Sequence, residues 1–134
     1  MSNKSGDCLC GKIRYEVKGE PIGSEYCHCG MCQTTAGAPV MAWVDYNVDQ
    51  IKWLNHKPTE YQSSEHCFRG FCDKCGSSLS FRHDQYPKFY TLTINSLDDP
   101  NEVKPVQHIH VEDKVNWCVI EDDLPRYMRS KSDG

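Results

Sequence analysis

Nine cysteines in 134 residues, and the way they are spaced, restrict this chain more than any other feature. They fall as Cys8-x-Cys10, Cys27-x-Cys29-x-x-Cys32 and Cys72-x-x-Cys75, with Cys67 and Cys118 standing alone. An odd number cannot pair completely into disulfides. The amino-terminal "MSNKSGDCLC" has no apolar core of the kind a secretory signal needs, so the expected compartment is cytoplasmic. In a reducing compartment, tight cysteine groups are metal ligands or reactive thiols.

"CDKCG", residues 72–76, has the form of a zinc knuckle. Two cysteines three apart with a following glycine let backbone N–H groups turn toward the sulfurs and favour their thiolate form. A structural zinc takes four ligands in a tetrahedron, and one knuckle supplies two. Cys8 and Cys10 are candidates for the other two, because residues i and i+2 at a strand edge face the same way. Such a site would close a loop of about 60 residues and constrain the unfolded chain accordingly. A thioredoxin-like redox reading of Cys72 and Cys75 would need a βαβ setting, which the pattern lacks.

Cys27, Cys29 and Cys32 then have no second pair to complete them. Three thiolates around zinc leave a fourth position, the mark of a catalytic site. The competing reading is a second structural zinc completed by His28, His66 or Cys67, of which His28 should point away from the metal. Three thiolates bring a charge of −3 against +2, so such a zinc is a weak Lewis acid, and metal-hydroxide hydrolysis is not the first expectation. A thiolate-rich zinc instead suits a soft ligand, and can hold an incoming thiol in its deprotonated form. That thiolate could add to an aldehyde carbon, or the reverse step could break a carbon–sulfur bond.

The rest of the sequence reads as short strands. Residues 11–19 alternate, with Ile13, Tyr15 and Val17 on one face. "PVMAWVDY", "IKWLN", "TEYQS", "SLSFRH", "KFYTLTIN", "VQHIHV" and "VNWCVI" continue the pattern. The best helical candidate is a short turn through "GMCQTTAG" after Cys29. These features predict one all-β domain over residues 1–128, its sheets sandwiched or folded into a tent, with a flexible tail over 129–134. The net charge of −4 and the scattered basic residues argue against nucleic-acid binding. No apolar run is long enough for a membrane helix. Exposed strand edges would allow a homodimer.

"CLCGKIRYEV" at 8–17, "CHCGMCQ" at 27–33, "AWV" at 42–44, "RGFCDKCGSSLSF" at 69–81, "HI" at 108–109, Trp117 and "DDLP" at 122–125 carry a resemblance. In this order they resemble the family of the glutathione-dependent formaldehyde-activating enzyme, which includes the centromere protein V domain. The resemblance implies a β-tent with one structural zinc on Cys8, Cys10, Cys72 and Cys75. It also implies a second, catalytic and labile zinc on Cys27, Cys29 and Cys32. The implied reaction is formation of S-(hydroxymethyl)glutathione from formaldehyde and glutathione, the work of a carbon–sulfur lyase. Gln33 stands where many relatives carry a basic residue.

His108, in the "HI" pair, is a candidate proton shuttle or support for the second zinc. His110 should share its face. Trp43, Trp53 and Trp117 read as core aromatics. The acidic run 121–123 reads as a solvated edge. The rival functions are a non-catalytic protein-binding module with both metals structural, and a redox or metal sensor.

Overall fold

The computed structural model describes residues 3–130 and is all-β apart from one short helix and several 3-10 turns. The strands are β1 (Asn3–Asp7), β2 (Arg14–Lys18), β3 (Gly23–Cys27), β4 (Met41–Asn47), β5 (Ile51–Trp53), β6 (Thr59–Ser64), β7 (Cys67–Phe71), β8 (Ser78–His83), β9 (Phe89–Thr93) and β10 (His108–Ile109). Helix α1 (Gly30–Ala36) lies between β3 and β4. A cysteine caps it: the Cys29 sulfur accepts from the Cys32 backbone N–H, and Gly37 ends it in the left-handed conformation.

Two sheets form the tent. A three-stranded sheet runs β1-β2-β5, and a seven-stranded sheet runs β10-β3-β4-β9-β8-β7-β6. All pairings are antiparallel except β10 with β3. The alternating face of β2 behaves as the sequence predicts: Tyr15 and Val17 are buried against Val44, Tyr46 and Leu92 from the larger sheet. Ile94, Leu97 and Val103 close this core from the 94–103 segment. Each such apolar side chain contributes about 1.5–3 kcal/mol by leaving water. The opposite face of the large sheet buries Cys27, Cys32, Met41 and Trp43 under α1, so β4 is covered on both faces.

Two strand expectations fail near the carboxyl end. "VQHIHV" reduces to His108–Ile109, because His110 adopts a left-handed backbone (φ 56°) and a 3-10 turn follows at Val111–Asp113. "VNWCVI" forms no strand. The β10 edge it would need is occupied by residues 125–127. The His108 N–H donates to the Pro125 carbonyl at 2.8 Å, and the Tyr127 N–H donates back to the His108 carbonyl at 2.9 Å. Trp117 is consequently not a core aromatic: it is 71% exposed. Of the expected tail, residues 131–134 lie outside the described residues, and the Arg129 carbonyl accepts from the His110 N–H at 2.7 Å.

Candidate metal centres and the cavity over the triplet

Four sulfurs meet where β1 ends and β7 ends. Those of Cys8, Cys10, Cys72 and Cys75 all lie within 4.8 Å of one another. The Cys8–Cys10 and Cys10–Cys72 sulfur separations are 3.7 and 3.8 Å. A tetrahedron with metal–sulfur bonds of about 2.3 Å has edges of about 3.8 Å, so this group fits a tetrahedral zinc. The Cys8–Cys10 pair is not presented by a strand, as the sequence suggested, but by a turn. The Gly11 N–H donates to the Cys8 carbonyl at 3.1 Å and the Cys8 N–H to the Ile13 carbonyl at 3.0 Å. In the knuckle, the Gly76 N–H reaches the Cys72 carbonyl at 2.8 Å, with Gly76 at a φ of 80° that other residues resist.

Backbone amides are aimed at these sulfurs. The Ile13 N–H reaches the Cys8 sulfur at 3.3 Å and the Lys74 N–H the Cys72 sulfur at 3.4 Å. A hydrogen bond from the Ser77 side chain, then one from its backbone, draws the Cys75 thiol down to about 5. The Lys12 backbone N–H lowers Cys10, but desolvation and the neighbouring sulfurs outweigh it and push that thiol up to about 11. Four sulfurs this close cannot all ionise without a cation, which is the condition a metal meets.

The second group, Cys27, Cys29 and Cys32, also has its sulfurs within 4.8 Å of one another. Cys27 ends β3, Cys29 caps α1 and Cys32 lies in its first turn. Cys27 and Cys32 are 3.2 Å apart, closer than a zinc tetrahedron edge. Contacts from Cys27 and Cys32 draw the Cys29 thiol down to about 2, whereas Cys29, Cys32 and burial raise Cys27. The soft donor set fits zinc, with three ligands and no fourth among the described residues. Cys67, His66 and Cys118 join neither group.

Arg69, on β7, supplies a buried positive charge. Its Nη1 donates to the Cys32 sulfur at 3.5 Å and its Nε to the Ser63 hydroxyl at 3.3 Å, while its guanidinium carbon stands 5.1 Å from the Phe81 ring centroid. It is only 8% exposed. Arg69 opens the motif at 69–81, and no local pattern there gives it a role. The available signal was an arginine between Phe68 and Phe71 on a strand leading into the knuckle.

Behind the triplet a hydrogen-bonded chain anchors the Cys27–Cys29 loop. The Nε2 of His28 and the Nδ1 of His108 are 2.9 Å apart, and the Nε2 of His108 lies 2.9 Å from Asp122 Oδ2. Arg126 Nη1 holds the other Asp122 oxygen at 3.0 Å. The His108 contact, foremost, keeps the Asp122 carboxyl near 2, so the carboxylate accepts from His108. Burial, then the neighbouring His108, drops His28 to about 4, so it is neutral where it meets His108 Nδ1. His28 thus points away from the sulfurs, as expected. The acidic run 121–123 is exposed, as the sequence suggested, and within it Asp122 also anchors His108. His108 and His110 do not share a side: His110 lines the cavity beside the triplet and His108 does not. Gln33 is a tie between loops, donating to the His28 carbonyl at 2.7 Å and the Asp113 carbonyl at 3.0 Å.

The cavity over the triplet is about 260 Å³. Its walls follow from the sheet register. Glu25 pairs with Trp43, Asp45 with Thr91, Thr91 with Phe81 and Phe81 with Arg69, so all project from one face. Cys27, Cys29, Cys32 and His110 form the end toward α1 and β10.

Residues 3–113 match the family described as glutathione-dependent formaldehyde-activating enzyme. A Halomonas elongata protein provisionally named for that activity is 26% identical over 126 residues, covering 87% of this chain and 80% of its own length. An uncharacterized lyase of Schizosaccharomyces pombe is 30% identical over 83 residues, 62% of this chain and 60% of its own length. A crystal structure of a Rhodobacter sphaeroides protein superposes with a TM-score of 0.61, at 17% identity, over 91% of this chain and 98% of that one, which bears on the fold alone. A family match over most of the residues, together with sulfurs gathered as the resemblance implied, establishes that the chain belongs to the glutathione-dependent formaldehyde-activating enzyme family.

Proposed function

We propose that the protein is a zinc-dependent carbon–sulfur lyase that joins a low-molecular-weight thiol to a small aldehyde, or separates them. The observation that carries this reading is the group of three sulfurs, with no fourth ligand among the described residues, lining a cavity of about 260 Å³. Family membership and the names of the relatives support the reaction class and point to glutathione and formaldehyde.

Cys8, Cys10, Cys72 and Cys75 would hold one zinc as a structural clamp, and Cys27, Cys29 and Cys32 a second. Zinc on the triplet supplies a soft position that takes a thiol in its thiolate form. The protein's own groups do the remainder. The Cys29–Cys32 helix turn fixes two sulfurs, β3 fixes the third, and Arg69 offsets their negative charge. His108 acts as a positioning residue: through His28 it ties the Cys27–Cys29 loop to Asp122. In the addition step the thiolate forms a C–S bond to the aldehyde carbon. The carbonyl π pair moves to oxygen, which takes the proton the thiol gave up, so thiol plus aldehyde equals hydroxyalkyl thioether. Trp43, Phe81 and Ile109 wall the site and limit water.

The test is metal content per chain followed by X-ray absorption during a glutathione titration. The reading requires two zincs, one of which gains a sulfur neighbour as thiol is added. Two zincs with four protein ligands each, indifferent to thiol, would instead describe a structural module.

A further inference from the structure

His110 is the one non-glycine with a positive φ among the described residues, at φ 56° and ψ 38°. A Cβ makes that conformation unfavourable, and backbone strain of this kind gathers at functional sites. No local contact of the side chain offsets it. His110 precedes the 3-10 turn at Val111–Asp113, yet its side chain makes no capping hydrogen bond. What is held is the backbone. The His110 N–H donates to the Arg129 carbonyl at 2.7 Å, and its carbonyl accepts from the Asp113 N–H at 3.1 Å. The ring has no hydrogen bond or ion pair among the described residues, and it lines the cavity beside Cys27, Cys29 and Cys32.

The sheet register places it close to the sulfurs. Ile109 pairs with Cys27 across the parallel β10–β3 ladder, and the His28 N–H donates to the Ile109 carbonyl at 3.1 Å. His110 is the next residue. On a regular strand it would share the side of His108, behind the triplet, and the left-handed backbone turns it to the cavity instead. Its ring nitrogens do not join the three sulfurs as one mutually close group, so it is not a fourth ligand.

Adding a thiol to an aldehyde needs a proton carrier. The thiol loses a proton before sulfur attacks, and the aldehyde oxygen gains one afterwards. An imidazole suits both transfers near neutrality. The other described groups on this wall suit them less. A guanidinium does not release a proton, so Arg69 only steadies charge. Glu25 lies two residues from Cys27 along β3, about 6.6 Å. Asp45 lies four residues beyond Met41, the partner of Cys27, about 13 Å along β4. Both carboxylates accept hydrogen bonds, Glu25 from the Gln107 amide at 3.4 Å and Asp45 from the Thr91 hydroxyl at 2.7 Å.

We propose that His110 carries the proton in the thiol–aldehyde reaction. This rests on the triplet being a thiol-binding site. One ring nitrogen takes the thiol's proton as the sulfur settles at the Cys27–Cys29–Cys32 group. The sulfur lone pair forms the C–S bond, the carbonyl π pair moves to oxygen, and the imidazolium returns the proton to that oxygen. Thiol plus aldehyde gives the hydroxyalkyl thioether, with the imidazole regenerated. Cleavage runs the same transfers backward: His110 takes the hydroxyl proton, C=O forms as C–S breaks, and the departing thiolate regains the proton.

The experiment compares the zinc-loaded protein with His110→Asn and His110→Gly, using glutathione and formaldehyde as probes. Asn and Gly accept a left-handed backbone, so both variants keep the turn. Both should retain two zincs per chain and the affinity for glutathione, while kcat above the uncatalysed reaction falls about 100-fold or more. Free imidazole should restore part of the rate in His110→Gly, where the missing ring leaves room for it. Calorimetry in buffers of different ionisation heat supplies a readout without turnover. The variants should pass more protons to the buffer per glutathione bound than the unaltered protein, which keeps the thiol's proton on His110. An unchanged kcat, equal proton release, loss of the second zinc, or a lost rate that imidazole does not restore would overturn the role of His110 and leave the lyase reading standing. No acceleration by the unaltered zinc-loaded protein would overturn both.

Discussion

Around Cys8, Cys10, Cys72 and Cys75 the sulfurs come from two tight turns, and backbone amides point at them from Ile13 and Lys74. Around Cys27, Cys29 and Cys32 they come from a strand end and a helix start, with the Cys32 amide on the Cys29 sulfur and a side-chain cation, Arg69, beside Cys32. The first arrangement joins β1 to the β7–β8 connection, positions 62 residues apart between Cys10 and Cys72, so its metal would cross-link the chain. The second spans five residues between Cys27 and Cys32 and cross-links nothing distant. Turns with amide donors close a site. A strand end and a helix cap leave one side facing a cavity. The same side chain thus serves as a clamp or as an opening, according to the backbone that presents it.

That contrast breaks most sharply at the clamp. Cys72→Ser is expected to abolish cooperative folding, since structural zinc in small domains contributes about 10–16 kcal/mol. Cys29→Ser should keep the fold and lose the second metal. Thermal melts with metal analysis decide, and equal destabilisation by the two changes would erase the distinction. A graded chelator titration should next remove one metal per chain with an unchanged circular dichroism spectrum, the other leaving only as the spectrum collapses. Simultaneous loss would mean that the two groups are not separable.

Arg69→Met should lower affinity for the second metal about 10–100-fold and leave the first unaffected, because it removes the cation beside Cys32. Competition with a chromophoric chelator measures this, and Arg69→Lys should recover part of it.

The smallest effect belongs to the core face, away from both sulfur groups. The Tyr46 hydroxyl is buried without a hydrogen-bond partner, and burial pushes it up to about 12. Between about pH 10 and 12 the folded state keeps this proton while the unfolded state loses it. Stability therefore falls as pH rises through that window. Tyr46→Phe should stabilise the fold by about 1 kcal/mol near neutrality and soften the alkaline loss, with both metals retained. Urea melts at neutral and alkaline pH measure it, and a destabilised variant would reveal a partner for that hydroxyl.

Much of this was legible in the sequence because it is local. The alternation of Ile13, Tyr15 and Val17 buried the expected face, since a strand's period of two fixes which side chains share a side. The helix after Cys29 and the knuckle turn at Gly76 followed from spacing and from the conformational freedom of glycine. What the sequence could not rank was competition for an edge. "VNWCVI" has strand composition but forms no strand, because residues 125–127 hold the β10 edge. His108 and His110 look equivalent on a strand, yet a left-handed backbone at His110 sends one to the cavity and leaves the other beside His28. Arg69 gains its role from cross-strand neighbours, and Asp122 from a contact with distant His108, that no local pattern announces. The composition of each cysteine group's tight motif and the strand period were therefore determined along the chain, where short-range geometry suffices. The charge around the open sulfurs, and the size of what can approach them, were decided only when five strands from distant positions came to share one face.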